Sequence, residues 1–275
     1  MNPQPLVSVI MTVYNGQDYL QAAIDSILRQ TLANFEFVIV DDGSTDETPK
    51  ILALAAADDR VQVISVTRVG RAKALNIAWH HTSGRYVANI DADDQAAPDR
   101  LASQATFLDK HPAVGLLGTA CHYVYEGYDK KKQETLSHPP LQPPATDEAL
   151  RTALIRKNPF VHSSVMMRRA ILAQVGGYDE ACPISIDYDL WVRIAKVAQL
   201  ACLPEALTIR LLRRESYFHR RVSLWARYQQ QVRIRWLAWR TLQRPWPELR
   251  YVFVAPTMRS LYGWSRQLWG RRGLL

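Results

Sequence analysis

Phe35-Glu36-Phe37-Val38-Ile39-Val40-Asp41-Asp42-Gly43-Ser44-Thr45-Asp46-Glu47-Thr48 is the stretch that decides how this chain folds. Its first half is a short, nearly unbroken apolar run, as expected of a strand buried on both faces. It stops on two carboxylates and a Gly-Ser turn. Thr45 then offers an N-cap to a helix carrying Ile51, Leu52 and Leu54. The same strand-then-helix order recurs on either side. Residues 6–13 read as a strand, and 18–30 as a helix with Leu20, Ile24, Ile27 and Leu28 on one face. Downstream, 61–66 is a strand, 72–79 a helix, and 86–90 a strand that runs into Asp91-Ala92-Asp93-Asp94. Alternation at this period predicts an α/β domain: a Rossmann-like, mostly parallel sheet with helices on both faces. Such sheets bind ligands beyond the carboxyl ends of their strands. Asp41-Asp42 and Asp91-Asp93 both fall at such ends, so one cleft can collect them. Carboxylates two residues apart can hold a hard divalent cation that clamps a phosphorylated substrate.

Past Pro98 the pattern changes. Residues 99–110 read as a helix, 114–125 as a strand-rich aromatic stretch, and 146–156 as a further helix. The Lys run and Pro-Pro pairs between 130 and 144 mark an exposed loop. Residues 162–167 have strand character, Gly176-Gly177 close the helix that follows, and 187–197 form a helix with Leu190, Trp191, Ile194 and Val197 on one face. No internal repeat is present.

Composition narrows the class. The 275 residues suffice for one generous core or two modest ones. Cys121, Cys182 and Cys202 are scattered and form no C-x-x-C pair, which argues against a disulfide framework or a zinc site. The N-terminus lacks a basic leader region, and no apolar run approaches the roughly 20 residues that span a bilayer. A cytoplasmic protein is expected, free or peripheral on the inner face of the membrane. The net charge of +8 conceals an asymmetry: residues 206–275 hold fifteen Arg against Glu215 and Glu248 alone. The rest of the chain is mildly acidic. Six of the eight Trp lie in that same region: Trp225, Trp236, Trp239, Trp246, Trp264 and Trp269.

Taken in order, the segments resemble one family, the inverting, metal-dependent glycosyltransferases of family 2 with a GT-A fold. The matching residues are Val7-Ser8-Val9-Ile10-Met11-Thr12-Val13-Tyr14-Asn15-Gly16, then Val38-Ile39-Val40-Asp41-Asp42-Gly43-Ser44-Thr45-Asp46. Ala74-Leu75-Asn76 and Asp91-Ala92-Asp93-Asp94 follow, and then Gly176-Gly177-Tyr178-Asp179-Glu180 and Asp187-Tyr188-Asp189-Leu190-Trp191-Val192-Arg193. The resemblance covers residues 6–200. It implies a nucleotide-sugar donor, a Mn2+ or Mg2+ ion and a catalytic domain over 1–205, with a donor half at 1–110 and an acceptor half at 111–205. A basic, helical C-terminal region would occupy 206–275.

The resemblance also distributes roles. Asp93 would hold the metal, which neutralises charge on the departing diphosphate, and Asp91 would lie near the ribose. Thr12, Tyr14, Asp41, Asp42, Arg71 and Asn76 would face the donor, Arg71 beside the diphosphate. Of the acidic pair, Asp42 is also expected to make the turn into the helix. Asp187 would be the general base that takes the proton of the attacking acceptor hydroxyl. The family has Glu before this Asp where Ile186 stands here. Helix capping is the plain structural alternative for Asp187. His162 and Trp191 would lie on the acceptor side, each with a core role as the alternative.

The tail reads as an amphipathic surface. Leu224, Tyr228, Val232, Trp236, Trp239 and Leu242 recur at helical spacing among Arg227, Arg233, Arg235 and Arg240. Helices of this composition lie in bilayer headgroups, and packing on the body or dimerising is the alternative. The expected partners are therefore a nucleotide-sugar donor, a glycan or lipid-linked acceptor, and a membrane surface. Two other classes fit less well. A nucleotidyltransferase would carry a Gly-rich basic loop after the first strand, and Thr12-Val13-Tyr14-Asn15-Gly16 is not one. A non-catalytic nucleic-acid- or membrane-binding module would leave the acidic strand ends without a task, so no nucleic acid is expected.

Overall fold

The structure is a computed structural model that describes residues 4–125, 143–182, 184–212 and 223–253. The loop expected between 130 and 144 falls, save its last two residues, outside the described residues, as do Trp264 and Trp269. Strands β1 (Val7–Val13), β2 (Phe35–Asp41), β3 (Val61–Ser65) and β4 (Tyr86–Asn89) alternate with helices α1 (Leu20–Leu28), α2 (Thr48–Ala55) and α3 (Arg71–His80). Then come β5 (Gln95–Ala96), α4 (Arg100–Lys110), β6 (Val114–Tyr125) and α5 (Asp147–Arg156). A 3₁₀ turn (His162–Ser164) leads to β7 (Met166–Arg168), α6 (Arg169–Gln174), α7 (Ile186–Val197), β8 (Gln199–Leu212) and α8 (Leu224–Thr241).

All eight strands join one sheet in the order β3-β2-β1-β4-β7-β6-β8-β5. The β3-β2-β1-β4 half is parallel, β7 runs antiparallel to both its neighbours, and β8 is parallel to β6. Alternate side chains feed two cores. Val7, Val9, Met11, Phe37, Ile39 and Ala88 pack against α1, α2 and α4. Ile10, Val38, Val40 and Val87 pack against α3, α5, α7 and α8. Each fully buried aliphatic side chain contributes about 1.5–3 kcal/mol. Burial on both faces is why these strands read as continuous apolar runs. The register sets Val13 beside Asp41 and Ile10 beside Asn89, so β1 and β2 end level while β4 stops three residues short of them, which leaves room for the loop that follows it.

Three local expectations need correction. Thr45 does not cap α2. The helix starts at Thr48, and Asp46 Oδ1 accepts the Thr48 N–H at 3.0 Å. The Thr48 hydroxyl faces the first loop, where it accepts the Gly16 N–H. Residues 162–167 are not one strand, because the 3₁₀ turn draws Ser163 and Ser164 inward before β7 begins. The sheet also runs past 205, since β8 continues to Leu212.

The described part of the tail packs on the body, and the expected stripe divides: Val232, Trp239 and Leu242 lie partly buried against the core, while Trp236 does not. Ile234, Arg235, Ala238 and Gln230 are buried, whereas Trp236 is 42% exposed. Two polar residues can lie inward because each finds a partner: Arg235 Nη1 donates to the Tyr251 carbonyl and Gln230 Nε2 to Cys182 Sγ. Among the described residues no helix is long and apolar enough to cross a membrane.

Candidate active site

The first wall of the cleft is built where the loops after β1 and β2 are laced together. Asn15 takes a left-handed conformation (φ 51°), and its amide N–H bonds Ser44 Oγ while its Oδ1 accepts the Thr45 N–H. Tyr14 is thereby held at the lip, 43% exposed, with the Arg68 guanidinium 3.4 Å from its ring centre. Thr12 lies half-buried near the carboxyl end of β1. The two adjacent aspartates divide their work in the reverse of the expected way. Asp41 makes the turn, accepting the Ser44 N–H at 3.0 Å. Asp42 reaches across instead: its Oδ1 accepts the Val69 N–H at 2.6 Å and its Oδ2 pairs with Arg68 Nη1 at 2.7 Å. The strand geometry explains this, because successive side chains point to opposite faces.

The acidic loop after β4 forms the floor. Asp91 Oδ1 lies 2.6 Å from Arg71 Nη2 and 2.8 Å from His162 Nδ1. Partial burial opposes ionisation of Asp91, but the Arg71 charge and then His162 hold its carboxyl well below the usual range. Asp91 in turn stabilises the charged Arg71 guanidinium, and Asp187 adds to that field. Behind them the Ser163 hydroxyl accepts the Asp91 N–H at 3.1 Å and donates to Asp94 Oδ2. Asp94 Oδ1 accepts the Leu211 N–H at 3.0 Å, which ties the loop to β8. Burial, and then the charges of Asp91 and Asp93, push the Asp94 carboxyl up to about 7.

That chemistry fits a divalent cation. Asp91, Asp93 and Asp94 can bring one carboxylate oxygen each within 4.8 Å of the others. An all-oxygen set suits Mg2+ or Mn2+, and Mg2+ characteristically takes one or two carboxylates and completes its shell with substrate phosphates. Asp91 and Asp94 also bond protein groups, and half-buried Asp93 lies within the same cluster.

Asp187 stands in the first turn of α7, and its Oδ2 accepts from Asn158 Nδ2 at 2.7 Å. It is not the helix cap. Ser185, in left-handed conformation with φ 57°, holds the cap position. Ile186, where the family has Glu, is buried, so this departure serves packing. Asp189 is buried and paired with Arg193 Nε at 2.8 Å, a structural role.

The structure does not bring every expected residue to the cleft. Asn76 is committed to protein partners: its Nδ2 donates to the Tyr178 carbonyl and Glu180 Oε1, and its Oδ1 accepts from Tyr178 N and Trp79 Nε1. It joins α3 to the turn after α6. Trp191 is fully buried between Phe160 and His162, and so belongs to the core and offers no acceptor platform. His162 is buried too. It braces Asp91 on one side and meets the Tyr178 hydroxyl at 3.1 Å on the other, which makes it a support of the floor. Sequence reading missed Arg68, Asn158 and Ser163. The last two lie in the same Asn158-Pro159-Phe160-Val161-His162-Ser163-Ser164 run as His162, which was their only signal.

Comparison with known proteins bears on this arrangement. The family model described as glycosyl transferase family 2 matches residues 8–176. A Haemophilus influenzae protein named "Uncharacterized glycosyltransferase" is 32% identical over 213 residues, covering 74% of this chain and 64% of its own. The Bacillus subtilis protein EpsE is 34% identical over 198 residues, covering 70% of this chain and 68% of its own. The chain thus spans about two thirds of the length of these relatives. Among solved structures, S. aureus TarS 1–349 in complex with UDP-GlcNAc superposes with a TM-score of 0.66 at 22% identity, over 83% of this chain and 65% of that one. The mannosyltransferase PcManGT from Pyrobaculum calidifontis, in complex with GDP-Man and Mn2+, gives 0.66 at 21% identity, over 100% of this chain and 77% of that one. At these identities the structural likeness speaks for the shared GT-A fold. With strand ends, acidic loop and helix-borne carboxylate arranged as described, and with its model matching most of the chain, the protein belongs to glycosyl transferase family 2.

Proposed function

We propose that this protein is an inverting glycosyltransferase. It moves one sugar from a nucleoside-diphosphate donor, uridine-linked by first choice, to a hydroxyl of a glycan or lipid-linked acceptor. The observation that carries the reading is the convergence of the acidic loop, Arg71 and Asp187 on one cleft at the sheet's carboxyl edge. The nucleotide enters between Tyr14 and the strand ends, where Thr12, Asp41 and Asp42 lie. Asp91 meets the ribose, and Arg71, held charged by Asp91, faces the diphosphate. Asp93 holds the Mn2+ or Mg2+ ion, which when bound offsets the negative charge that grows on the leaving diphosphate. Asp187, fixed by Asn158, accepts the acceptor hydroxyl's proton as its oxygen attacks the anomeric carbon opposite the leaving group. Holding both substrates in line supplies much of the rate gain.

The donor half (1–110) and the acceptor half share one sheet. We place the end of the acceptor half at Leu212, where β8 ends. The C-terminal basic region supports a membrane-associated acceptor, such as a cell-surface polysaccharide or glycolipid precursor, and a peripheral position on the cytoplasmic face.

A thermal-shift panel of uridine-, guanosine- and thymidine-diphosphate sugars, with and without Mn2+, tests the donor site on wild type and Asp93→Ala. Mn2+-dependent stabilisation by one donor, lost in Asp93→Ala, is the expected result. Absence of any donor response from folded protein would overturn the reading.

A further inference from the structure

Among the described residues, the exposed large hydrophobic side chains are Tyr14, Leu54, Val197, Trp225, Trp236, Trp246 and Phe253. Four of these seven gather on α8 and the segment after it. Ring contacts link three of them: Trp236 is 5.4 Å from Trp239 and 6.5 Å from Phe253, and Trp239 is 5.3 Å from Trp246, while Trp225 stacks on Tyr228 at 5.4 Å. Tyr228, Val232, Trp236 and Phe253 also line a shallow groove of about 340 Å3. Scattered exposed apolar residues need no explanation, but a contiguous aromatic patch marks an interaction surface.

The segment that carries the patch is strongly basic, with Arg233 and Arg244 also meeting Asp179 and Glu148 of the body. Residues 223–253 contain six Arg and one acid, Glu248, which pairs with Arg244 at 3.0 Å. Residues 254–275 continue the same composition, with four Arg, two Trp and no acid. A second copy docked symmetrically would set arginines against arginines, because a two-fold interface pairs a patch with itself. The fitting occupant is negatively charged on its surface and apolar beneath. Indole rings favour the boundary between headgroup and acyl chain, where a long Leu or Ile would go deeper.

We propose that the outer face of α8, with Trp225, Trp236, Trp246 and Phe253 as inserting side chains and Arg240 and Arg250 beside them, is a docking surface for an anionic lipid bilayer. This deepens the membrane-facing part of the function above, and rests on the glycosyltransferase reading only for what the bilayer would present. The surface is tied to the reaction side of the molecule. Arg233 pairs with Asp179 at 3.6 Å and Gln230 bonds Cys182, so α8 grips the segment that leads to Asp187. A bilayer held there would lie near the acceptor half.

Flotation of the full chain with vesicles tests this, using phosphatidylcholine mixed with phosphatidylglycerol and phosphatidylcholine alone. Binding is expected with the anionic vesicles and to weaken with added salt. The variant Trp225→Ser/Trp236→Ser/Phe253→Ser should lose at least about tenfold in partitioning, through lost apolar insertion. Arg240→Glu/Arg250→Glu should lose as much, since each basic residue near an anionic surface contributes about 1 kcal/mol. Both variants alter exposed side chains, and their donor-induced thermal shift reports that they are folded. Undiminished binding by the aromatic variant, equal binding to neutral vesicles, or no vesicle binding by wild type would overturn the proposal. So would an absence of vesicle binding together with self-association that the aromatic variant abolishes. A missing donor response with vesicle binding intact would sink the glycosyltransferase reading and leave this surface standing.

Discussion

Asp187 and Asp189 stand two positions apart on one helix and meet different fates. Asp189 turns inward to Arg193, while Asp187 takes the amide of Asn158 on a different segment. The Asp187 carboxylate is therefore oriented from outside its own helix. Asp187→Asn is expected to lower kcat roughly 10²–10⁴-fold, the usual worth of a general base, with donor KM little changed in steady-state kinetics. Asn158→Ala should cost less, again in kcat and not in donor KM, because it frees the carboxylate without removing it. A loss confined to donor KM in either variant would contradict these assignments. The acidic strand ends and the carboxylate of α7 were visible in the sequence as residues. The groups that meet them, His162 at Asp91, Ser163 at Asp94 and Asn158 at Asp187, were not, since they are distant in sequence from the carboxylates they bond.

At the scale of elements, the turn after α6 shows how backbone shape is demanded by packing. Gly176 and Gly177 both have positive φ, 78° and 68°. A Cβ on Gly176 meets nothing within 4 Å, whereas one on Gly177 would lie 2.6 Å from Trp79 Nε1 and 2.7 Å from Asn76 Oδ1. Gly176→Ala should thus cost only the left-handed backbone penalty, about 1 kcal/mol. Gly177→Ala adds a clash that breaks the Asn76 clamp, for a total of about 3 kcal/mol or more in chemical denaturation. Equal costs would show that the clamp gives way freely. The two glycines were readable as a helix stop. That Asn76 closes on the same turn was not, because its place in the Ala74-Leu75-Asn76 motif suggested a donor contact.

For the whole molecule, α8 and the segment after it complete the core shared by α5 and α7 with Ile234, Ala238 and Val252, all but fully buried. A chain ending at residue 222 should lose this cover, lowering Tm by about 5 °C or more from several kcal/mol of burial and raising binding of an apolar dye. An unchanged Tm would mean the helix adds nothing to the body. The sequence by itself determined the parallel half of the sheet, the two layers of helices and the acidic strand ends. Those features are local: an apolar run ends, a carboxylate follows, and periodicity reports which face is buried. Only the tertiary structure decided which carboxylates are engaged by neighbours, that Trp191 and His162 are interior, and which side of α8 faces out. These depend on partners brought from far along the chain, and a buried Arg235 or Gln230 is tolerated only where such a partner waits. Residue type records hydrophobicity, but satisfaction of a buried polar group is a property of the packed whole.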